Sequence, residues 1–210
     1  MSTGLPLHIV IRPLNVTDVQ QVFELEKLGF PPSERCSLET LKYRLSKAPE
    51  LSSGLFIREF KPLERESDAY LPEATTSIIG EKLIGHIIGT KVKGDFITEG
   101  SMQCPNESEG ETEESTGKGH IESSNTIGVH SIVISPDYQK RNLATLLLHD
   151  YIQKLSNQQV AEKISIIAKE YLLPFYSRVG FVKKGPSDCT HGGEEWFDLQ
   201  CPLIPEDYEE

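Results

Sequence analysis

The strongest constraint on this chain is one continuous stretch, Gly128 to Leu155, which joins a strand to a helix through a basic turn. Val129–Ile134 is rich in β-branched residues and predicts a strand. Ser135-Pro136 ends it, because proline lacks the amide that ladder pairing needs. A helical pattern follows, in which apolar residues recur at every fourth position and therefore share one face. These apolar residues are Leu143, Leu147, Tyr151 and Leu155.

The turn between this strand and helix, Gln139 to Thr145, carries two adjacent cations, Lys140 and Arg141. The first amides of a helix have no partner within the helix, and the helix dipole favours an anion beside them. We therefore predict a pyrophosphate site at this turn. The alternative is a solvated basic turn that binds nothing. The turn has no paired glycines, so neither a P-loop nor a dinucleotide fingerprint is supported.

Length, charge and cysteine usage narrow the class of protein. The 210 residues suit one domain with a full core. A net charge of −11 makes nucleic acids and anionic membranes poor partners, and no apolar run reaches membrane-spanning length. The four cysteines lack a Cys-x-x-Cys pair and indicate free thiols in a reducing compartment. We expect a cytoplasmic monomer without a metal site, with the nucleus as the alternative compartment.

Hydrophobic period and turn residues predict one α/β domain over residues 1–210, a mixed sheet flanked by helices. The predicted strands are Leu7–Ile11, Leu55–Glu59, Leu83–Val92, Val129–Ile134, Lys163–Ala168, one that begins at Phe181, and Glu195–Leu203. Two helices are expected to follow capping residues at Asn15 and Ser37. The predicted helices are Val19–Leu28, Leu38–Lys47, Leu143–Leu155 and Leu172–Arg178.

Two segments differ from this pattern. Lys61 to Ser77 is polar, contains two prolines and predicts a loop. Gly94 to Asn125 is rich in acidic residues, serine, glycine and threonine, and too few of its residues can enter a core to offset the entropy of ordering it. We expect a disordered acidic insertion here, either a tolerated surface insertion or a regulatory segment. Deletion of Thr98 to Ser123 should then leave activity intact.

The turn resembles the acetyl-CoA signature of the Gcn5-related N-acetyltransferases, Gln/Arg-x-x-Gly-x-Gly/Ala. Gln139 and Ala144 match its ends, and Asn142 stands where the family usually has glycine. Asparagine tolerates unusual backbone angles better than other non-glycine residues. A second block, Leu172 to Phe181, is similar to the family's later tyrosine-containing motif. Together the two blocks imply the acyl-CoA N-acyltransferase fold and acetyl-CoA as the co-substrate.

Three further stretches resemble the aralkylamine (serotonin) N-acetyltransferase branch, and especially its fungal polyamine and aralkylamine acetyltransferases. They are Ala48–Phe56, His130–Ile134 and Leu173–Tyr176. The resemblance implies direct transfer of acetyl, in a ternary complex, to the primary amine of a small aralkylamine or polyamine. The alternatives are a protein or histone lysine acetyltransferase and a non-catalytic acetyl-CoA-binding module.

The same resemblance implies roles for individual residues. His130 would relay the amine proton, and Tyr176 would act as general acid near the coenzyme sulfur. Vertebrate members carry a second histidine where this chain has Gly128. The implied amine-pocket residues are Phe30, Pro31 and Trp196. The implied coenzyme contacts are Ile132, Val133 and Ile134 beside the pantetheine arm, mainly through backbone groups, and Gln139, Lys140, Arg141, Asn142, Leu143, Ala144 and Thr145 at the pyrophosphate.

Each of these residues also has an ordinary structural explanation. A histidine between apolar neighbours is usually half-buried with one satisfied hydrogen bond, and a tyrosine usually packs with its hydroxyl at the surface. Phe30 and Trp196, taken singly, are typical of a core. The functional interpretation therefore depends on their joint placement on the family pattern.

Overall fold

The structure, a computed structural model, describes residues 4–62, 77–106, 108, 110 and 112–204. The described residues form seven strands: β1 Ile9–Pro13, β2 Ser52–Phe60, β3 Ile78–Lys91, β4 Thr126–Ile134, β5 Lys163–Ala168, β6 Val182–Pro186 and β7 Phe197–Pro202. The α-helices are α1 Val19–Gly29, α2 Leu38–Lys47, α3 Glu113–Thr116, α4 Leu143–Gln158 and α5 Leu173–Arg178. Short 3₁₀ turns include Val16–Asp18, Pro49–Leu51, Pro136–Tyr138, Glu170–Leu172 and His191–Gly193.

The strands form one sheet in the order β1-β2-β3-β4-β5-β7-β6, in which β4 and β5 pair in parallel and the other neighbours are antiparallel. The apolar side of α4 packs on one face of the sheet, and α1 and α2 pack on the other. The predicted fold class, a mixed sheet flanked by helices, is confirmed. The predicted apolar face of α4 is also confirmed, since all four of its residues are buried.

Local capping explains where the first helices begin. Asn15 and Asp18 form the predicted capping box at the 3₁₀ turn that leads into α1. Asp18 is also held by two hydrogen bonds of 2.8 Å from Arg12 on β1. Ser37 caps α2 by accepting a hydrogen bond from the Thr40 amide, as predicted.

The parallel strands β4 and β5 part soon after they meet. Their pairing covers three positions and ends at Gly128 opposite Ser165, although β4 continues to Ile134 and β5 to Ala168. Beyond that point the two strands enclose a gap in the middle of the sheet. Backbone groups on this side of β4 therefore have no partner in β5, and they remain available to a bound molecule.

A β-bulge lies on β4 at the gap. Ser131 lies opposite Ile88 and Val129 opposite Gly89, so His130 is an extra residue without a partner on β3. Ile127 and Val129 belong to the α4 side of the core, and so do Ile132 and Ile134 after the bulge. Because of the extra residue, the apolar side chains before and after the bulge face the same side of the sheet, and His130 points to the opposite side.

The segment between β3 and β4 differs from the expectation of disorder. Its described part packs on the domain through several apolar residues: Ile97 and Ile121 are buried, and Met102 is half-buried beside Ile97, whereas Phe96 stays exposed. Glu113 binds Lys47 of α2 at 3.1 Å and accepts a hydrogen bond from a tyrosine of the same helix. Average composition could not reveal that these few positions are anchors. The predicted loop Lys61–Ser77 lies largely outside the described residues.

Gly128 lies against this inserted segment and generates a first prediction. A Cβ atom at Gly128 would approach Val92 Cγ1 to 2.5 Å and Ile97 Cδ1 to 2.6 Å. Gly128→Ala should therefore lower the free energy of unfolding by about 1–3 kcal/mol, as overpacked cores do. Urea denaturation would measure this. The matched control is Gly100→Ala, where the nearest atom would lie 3.7 Å away. Equal stability of the two variants would contradict close packing at Gly128.

Candidate active site

The gap between β4 and β5 holds the central cavity, a space of about 90 Å³. The structure brings five of the predicted site residues to its wall although they come from distant parts of the chain: Phe30, His130, Ile132, Tyr176 and Trp196. Phe30 follows α1, Tyr176 belongs to α5, and Trp196 directly precedes β7. Pro31 is exposed and does not contact the cavity. Residues not predicted from the sequence complete the wall, among them Glu34, Met102 and His191.

His130 is held between a hydroxyl and a thioether. Its Nε2 lies 2.7 Å from Thr90 Oγ1, and its Nδ1 lies 3.3 Å from Met102 Sδ. Burial lowers the pKa of His130 well below its usual 6.5, and the charges of Arg44 and His191 lower it further. The imidazole is therefore neutral near pH 7 and can accept a proton.

Tyr176 can donate a proton, whereas His130 can accept one. Its ring is buried edge-on against Phe175 and Phe181, at centroid distances of 5.1 and 5.6 Å. Burial raises the pKa of the phenol well above 10, so the hydroxyl keeps its proton. Among the described residues this hydroxyl has no hydrogen-bond partner. It can therefore donate to a bound group at the cavity.

The aromatic wall of the central cavity is fixed by hydrogen bonds to the backbone. The Trp196 indole donates to the His191 carbonyl at 2.9 Å, and the Lys169 ammonium lies 4.2 Å from the centre of the indole ring. His191 Nε2 in turn lies 3.1 Å from the Glu34 carbonyl oxygen, in the loop that follows Phe30. These contacts connect the two loops that supply the aromatic side chains.

A second space of about 290 Å³, the turn cavity, lies at the start of α4. Lys140 and Asn142 adopt left-handed backbone angles, with φ of 60° and 58°. Gln139 donates from its side chain to the Ile134 carbonyl at 3.1 Å, which ties the turn to the end of β4. Seven predicted coenzyme residues contact this cavity: Ile134, Gln139, Lys140, Asn142, Leu143, Ala144 and Thr145.

Two predicted coenzyme residues lie elsewhere, and one unpredicted cation is present. The Arg141 guanidinium lies 5.7 Å from the Tyr138 ring centre, outside the turn cavity. Val133 packs its side chain toward α1, so only its backbone can face the gap. Arg178 contacts the turn cavity, and its position at the end of the predicted helix Leu172–Arg178 was the available signal.

The comparisons with known proteins assign the family. Residues 82–199 match the family model described as acetyltransferase (GNAT) domain. The chain belongs to the GNAT acetyltransferase family. Serotonin N-acetyltransferase of Mesocricetus auratus is 24% identical over 195 residues, which cover 91% of this chain and 76% of that protein. The enzyme of the same name from Macaca mulatta is 25% identical over 198 residues, covering 91% and 78%.

Solved structures share the fold of this acetyltransferase at low identity. The loading GNATL domain of CurA from Lyngbya majuscula has a TM-score of 0.63 at 16% identity, covering 93% of this chain and 98% of that one. The GphF GNAT-like decarboxylase, in complex with isobutyryl-CoA, has a TM-score of 0.62 at 13% identity, covering 92% and 99%. The ribosomal-protein-S18-alanine N-acetyltransferase of Escherichia coli has a TM-score of 0.56 at 14% identity, and the match covers 96% of this chain and 98% of that one. Because one of these structural relatives is a decarboxylase, the reaction must be argued from the site.

A buried polar cluster of the acetyltransferase lies behind the central cavity. Glu26 of α1 lies 2.9 Å from His86 Nε2 of β3 and accepts a short hydrogen bond from the Ser131 hydroxyl of β4. Burial would raise the pKa of Glu26, but hydrogen bonds from His86 and Ser131 and the Cys36 amide bring it below its usual value. Sequence reasoning missed this cluster, because three residues so far apart leave no local pattern.

The charged cavity, a space of about 130 Å³, adjoins the central cavity. Its charged residues are Glu26, Glu34, Arg35 and Arg44, and it shares Glu34, Met102, His130 and His191 with the central cavity. The buried Arg44 donates to the Met102 carbonyl at 3.0 Å and to Cys36 Sγ at 3.5 Å, and no described carboxylate pairs with it. The formal charges of the two glutamates and two arginines cancel.

Two searches cover only the described part of the chain. In it, no three His, Cys, Asp or Glu side chains are grouped so that they could hold a metal ion. Among the same residues, no helix combines the length and the apolar character that a membrane crossing requires.

The neutral state of His130 predicts a pH dependence of stability. Its folded pKa lies below the unfolded value of about 6.5, so the unfolded chain binds the proton more tightly. The contribution of His130 to stability is therefore complete above about pH 6.5 and is lost as the pH falls below it. His130→Gln should flatten the decline of the melting temperature between pH 7 and 5.

The matched control for this titration is His149→Gln, because His149 is exposed on α4. This control should keep the wild-type slope of melting temperature against pH. Equal slopes for wild type and His130→Gln would show that His130 titrates alike in the folded and unfolded chain, and would remove the buried neutral imidazole from the site.

Proposed function

We propose that this acetyltransferase transfers the acetyl group of acetyl-CoA to the primary amine of small arylalkylamines, directly and in a ternary complex. One observation carries the proposal. A neutral imidazole, a protonated phenol and two aromatic side chains meet in a single cavity at the parting of β4 and β5. The names of the serotonin N-acetyltransferase relatives support the same substrate class.

The coenzyme has two places in this proposal. Its pyrophosphate binds at the turn cavity, where Lys140 and Arg178 supply positive charge and the first amides of α4 are unpaired. Its pantetheine arm follows the free edge of β4, along Ile132 to Ile134, toward the central cavity. The structurally similar GphF decarboxylase, in complex with isobutyryl-CoA, supports this class of ligand.

The proposed chemistry requires two proton transfers, and a different residue performs each of them. His130 accepts the proton that the amine must lose before its nitrogen attacks the thioester carbon. An amide of β4 polarises the thioester carbonyl. As the new carbon–nitrogen bond forms and the carbon–sulfur bond breaks, Tyr176 gives its proton to the departing thiolate. Because Gly128 has no side chain, His130 performs alone the proton relay for which vertebrate relatives carry two histidines.

Arylalkylamines are favoured over polyamines by the surroundings of His130. Phe30 and Trp196 offer aromatic surface to a ring. The charged cavity beside them has no net formal charge, so it gives a distal ammonium no electrostatic advantage. Polyamines are the second candidate, because the chain as a whole carries a net charge of −11, which attracts cations.

The deciding experiment is an acceptor panel with acetyl-CoA, assayed by CoA release and by mass of the acetylated product. The acceptors are tryptamine, phenethylamine, spermidine and a lysine peptide. We expect the two arylalkylamines to give kcat/KM values at least roughly tenfold above spermidine and the peptide. Tyr176→Phe, which retains the ring, should still bind acetyl-CoA but slow single-turnover transfer by roughly 10²-fold.

Two outcomes would contradict the proposal. Turnover of the lysine peptide alone would favour a protein lysine acetyltransferase, and binding of acetyl-CoA without turnover of any amine would favour a non-catalytic module. A wild-type single-turnover rate for Tyr176→Phe would reduce Tyr176 to a packing residue. Single-turnover kinetics are required because slow product release can conceal a slower chemical step.

The coenzyme site has its own test, in which two neighbouring cations are compared. Lys140 contacts the turn cavity and Arg141 does not. Lys140→Gln should weaken acetyl-CoA binding by roughly tenfold, the loss typical of a hydrogen bond to a charged group, whereas Arg141→Gln should change it little. Isothermal calorimetry at fixed ionic strength measures both. Equal effects of the two substitutions would mean that general charge, rather than the turn cavity, attracts the coenzyme.

A further inference from the structure

Within the described part of the segment between β3 and β4, one residue, Met102, contacts the interior of the site. Met102 contacts both the central cavity and the charged cavity. Three other residues contact both spaces, but His130 belongs to the sheet, and Glu34 and His191 lie in loops outside the segment. Because Met102 borders the two cavities at once, its side chain forms part of the boundary between them.

The backbone of Met102 is fixed by a buried cation. Arg44 is 3% exposed, and its guanidinium donates to the Met102 carbonyl at 3.0 Å. The Met102 amide donates to the Thr98 carbonyl at 3.2 Å, which closes a compact turn before it. A hydrogen bond from a charged donor is among the stronger ones available to a carbonyl. The position of Met102 is therefore determined by α2 as well as by its own segment.

A second anchor connects the same turn to the aromatic wall. The Glu99 carboxylate accepts hydrogen bonds from the Thr190 amide at 2.7 Å and the Thr190 hydroxyl at 3.3 Å. Thr190 precedes His191, whose carbonyl holds the Trp196 indole. Hydrogen bonds thus connect the turn around Met102 to the loop around Trp196, and both contact the central cavity.

The Met102 side chain reaches the proposed proton acceptor. Its Sδ lies 3.3 Å from His130 Nδ1. An amine whose nitrogen is near His130 therefore meets the methionine on the side of the charged cavity. Methionine is flexible and unbranched, and it fills irregular space between other groups. Removal of its side chain beyond Cβ would join cavities of about 90 and 130 Å³.

We propose that Met102 separates the two cavities and so limits the length of the amine that this acetyltransferase accepts. The proposal rests on the proposed function and adds a determinant of acceptor size within it. It also assigns a role to the inserted segment, which forms a wall of the acceptor site. Deletion of Thr98 to Ser123 would remove this wall. We therefore no longer expect the deletion to leave acetylation intact, and expect it to change which amines are accepted.

The test compares two arylalkylamines that differ in chain length, phenethylamine and 4-phenylbutylamine. Met102→Ala should raise the ratio of kcat/KM for the longer amine to that for the shorter by roughly tenfold or more, the scale of discrimination by apolar pocket volume. Met102→Leu, which restores bulk, should return the ratio toward wild type. Both variants should still bind acetyl-CoA, because Met102 does not contact the turn cavity at which we propose that the pyrophosphate binds.

A binding measurement separates this proposal from the proposed function. Trp196 is the one tryptophan of the chain and contacts the central cavity, so its fluorescence reports amine binding without turnover. In the CoA-saturated protein, Met102→Ala should tighten binding of 4-phenylbutylamine relative to phenethylamine. Such a shift without turnover in wild type would refute the proposed function and support the length limit.

The matched control is Phe96→Ala, which truncates a 38%-exposed apolar side chain of the same segment that contacts neither cavity. It should retain the wild-type ratio. An unchanged ratio in a folded Met102→Ala protein that binds acetyl-CoA normally would overturn the proposal. So would an equal change in Phe96→Ala, because the effect would then come from loosening of the whole segment. Absence of amine binding in wild type and Met102→Ala alike would overturn it as well.

Discussion

The parting of β4 from β5 beyond Gly128 and Ser165 is the constraint on which the rest of the site depends. A continued parallel pairing would have satisfied the backbone groups of both strands and closed the middle of the sheet. The gap instead gives a helix end, a short helix and a loop one common space. Phe30, Tyr176 and Trp196 contact the same cavity for that reason. The space for the site is thus created by the topology of the sheet, and the side chains then line that space.

The bulge on β4 solves a second problem, which is how to place a polar residue within an apolar strand. In a regular strand His130 would share a face with Ile132, which packs on the α4 side of the core. One extra residue breaks that relation, so the apolar residues after it remain in the core while His130 reaches Thr90 and Met102. The neutral state of the imidazole follows from this placement.

Sequence reasoning succeeded where the signal was local. The strand, turn and helix around Gln139 could be predicted because hydrophobic period and proline act over a few residues. The cluster of Glu26, His86 and Ser131 could not, since its members meet only when α1, β3 and β4 pack. The expectation of disorder in the inserted segment differs from the observed packing for another reason. Composition averages over a segment, whereas anchoring depends on a few positions such as Ile97.

The left-handed angles of Lys140 and Asn142 have a consequence for how the turn meets a ligand. Glycine would adopt such angles without strain, but it would also enlarge the range of conformations open to the unfolded chain. Lysine and asparagine accept some local strain and restrict that range, so less conformational entropy is lost when the turn forms. Because the turn is already ordered in the folded protein, little further conformational entropy is lost when a ligand binds to it. For the pyrophosphate that we propose binds there, the turn is a preformed receptor rather than a loop that wraps around the anion.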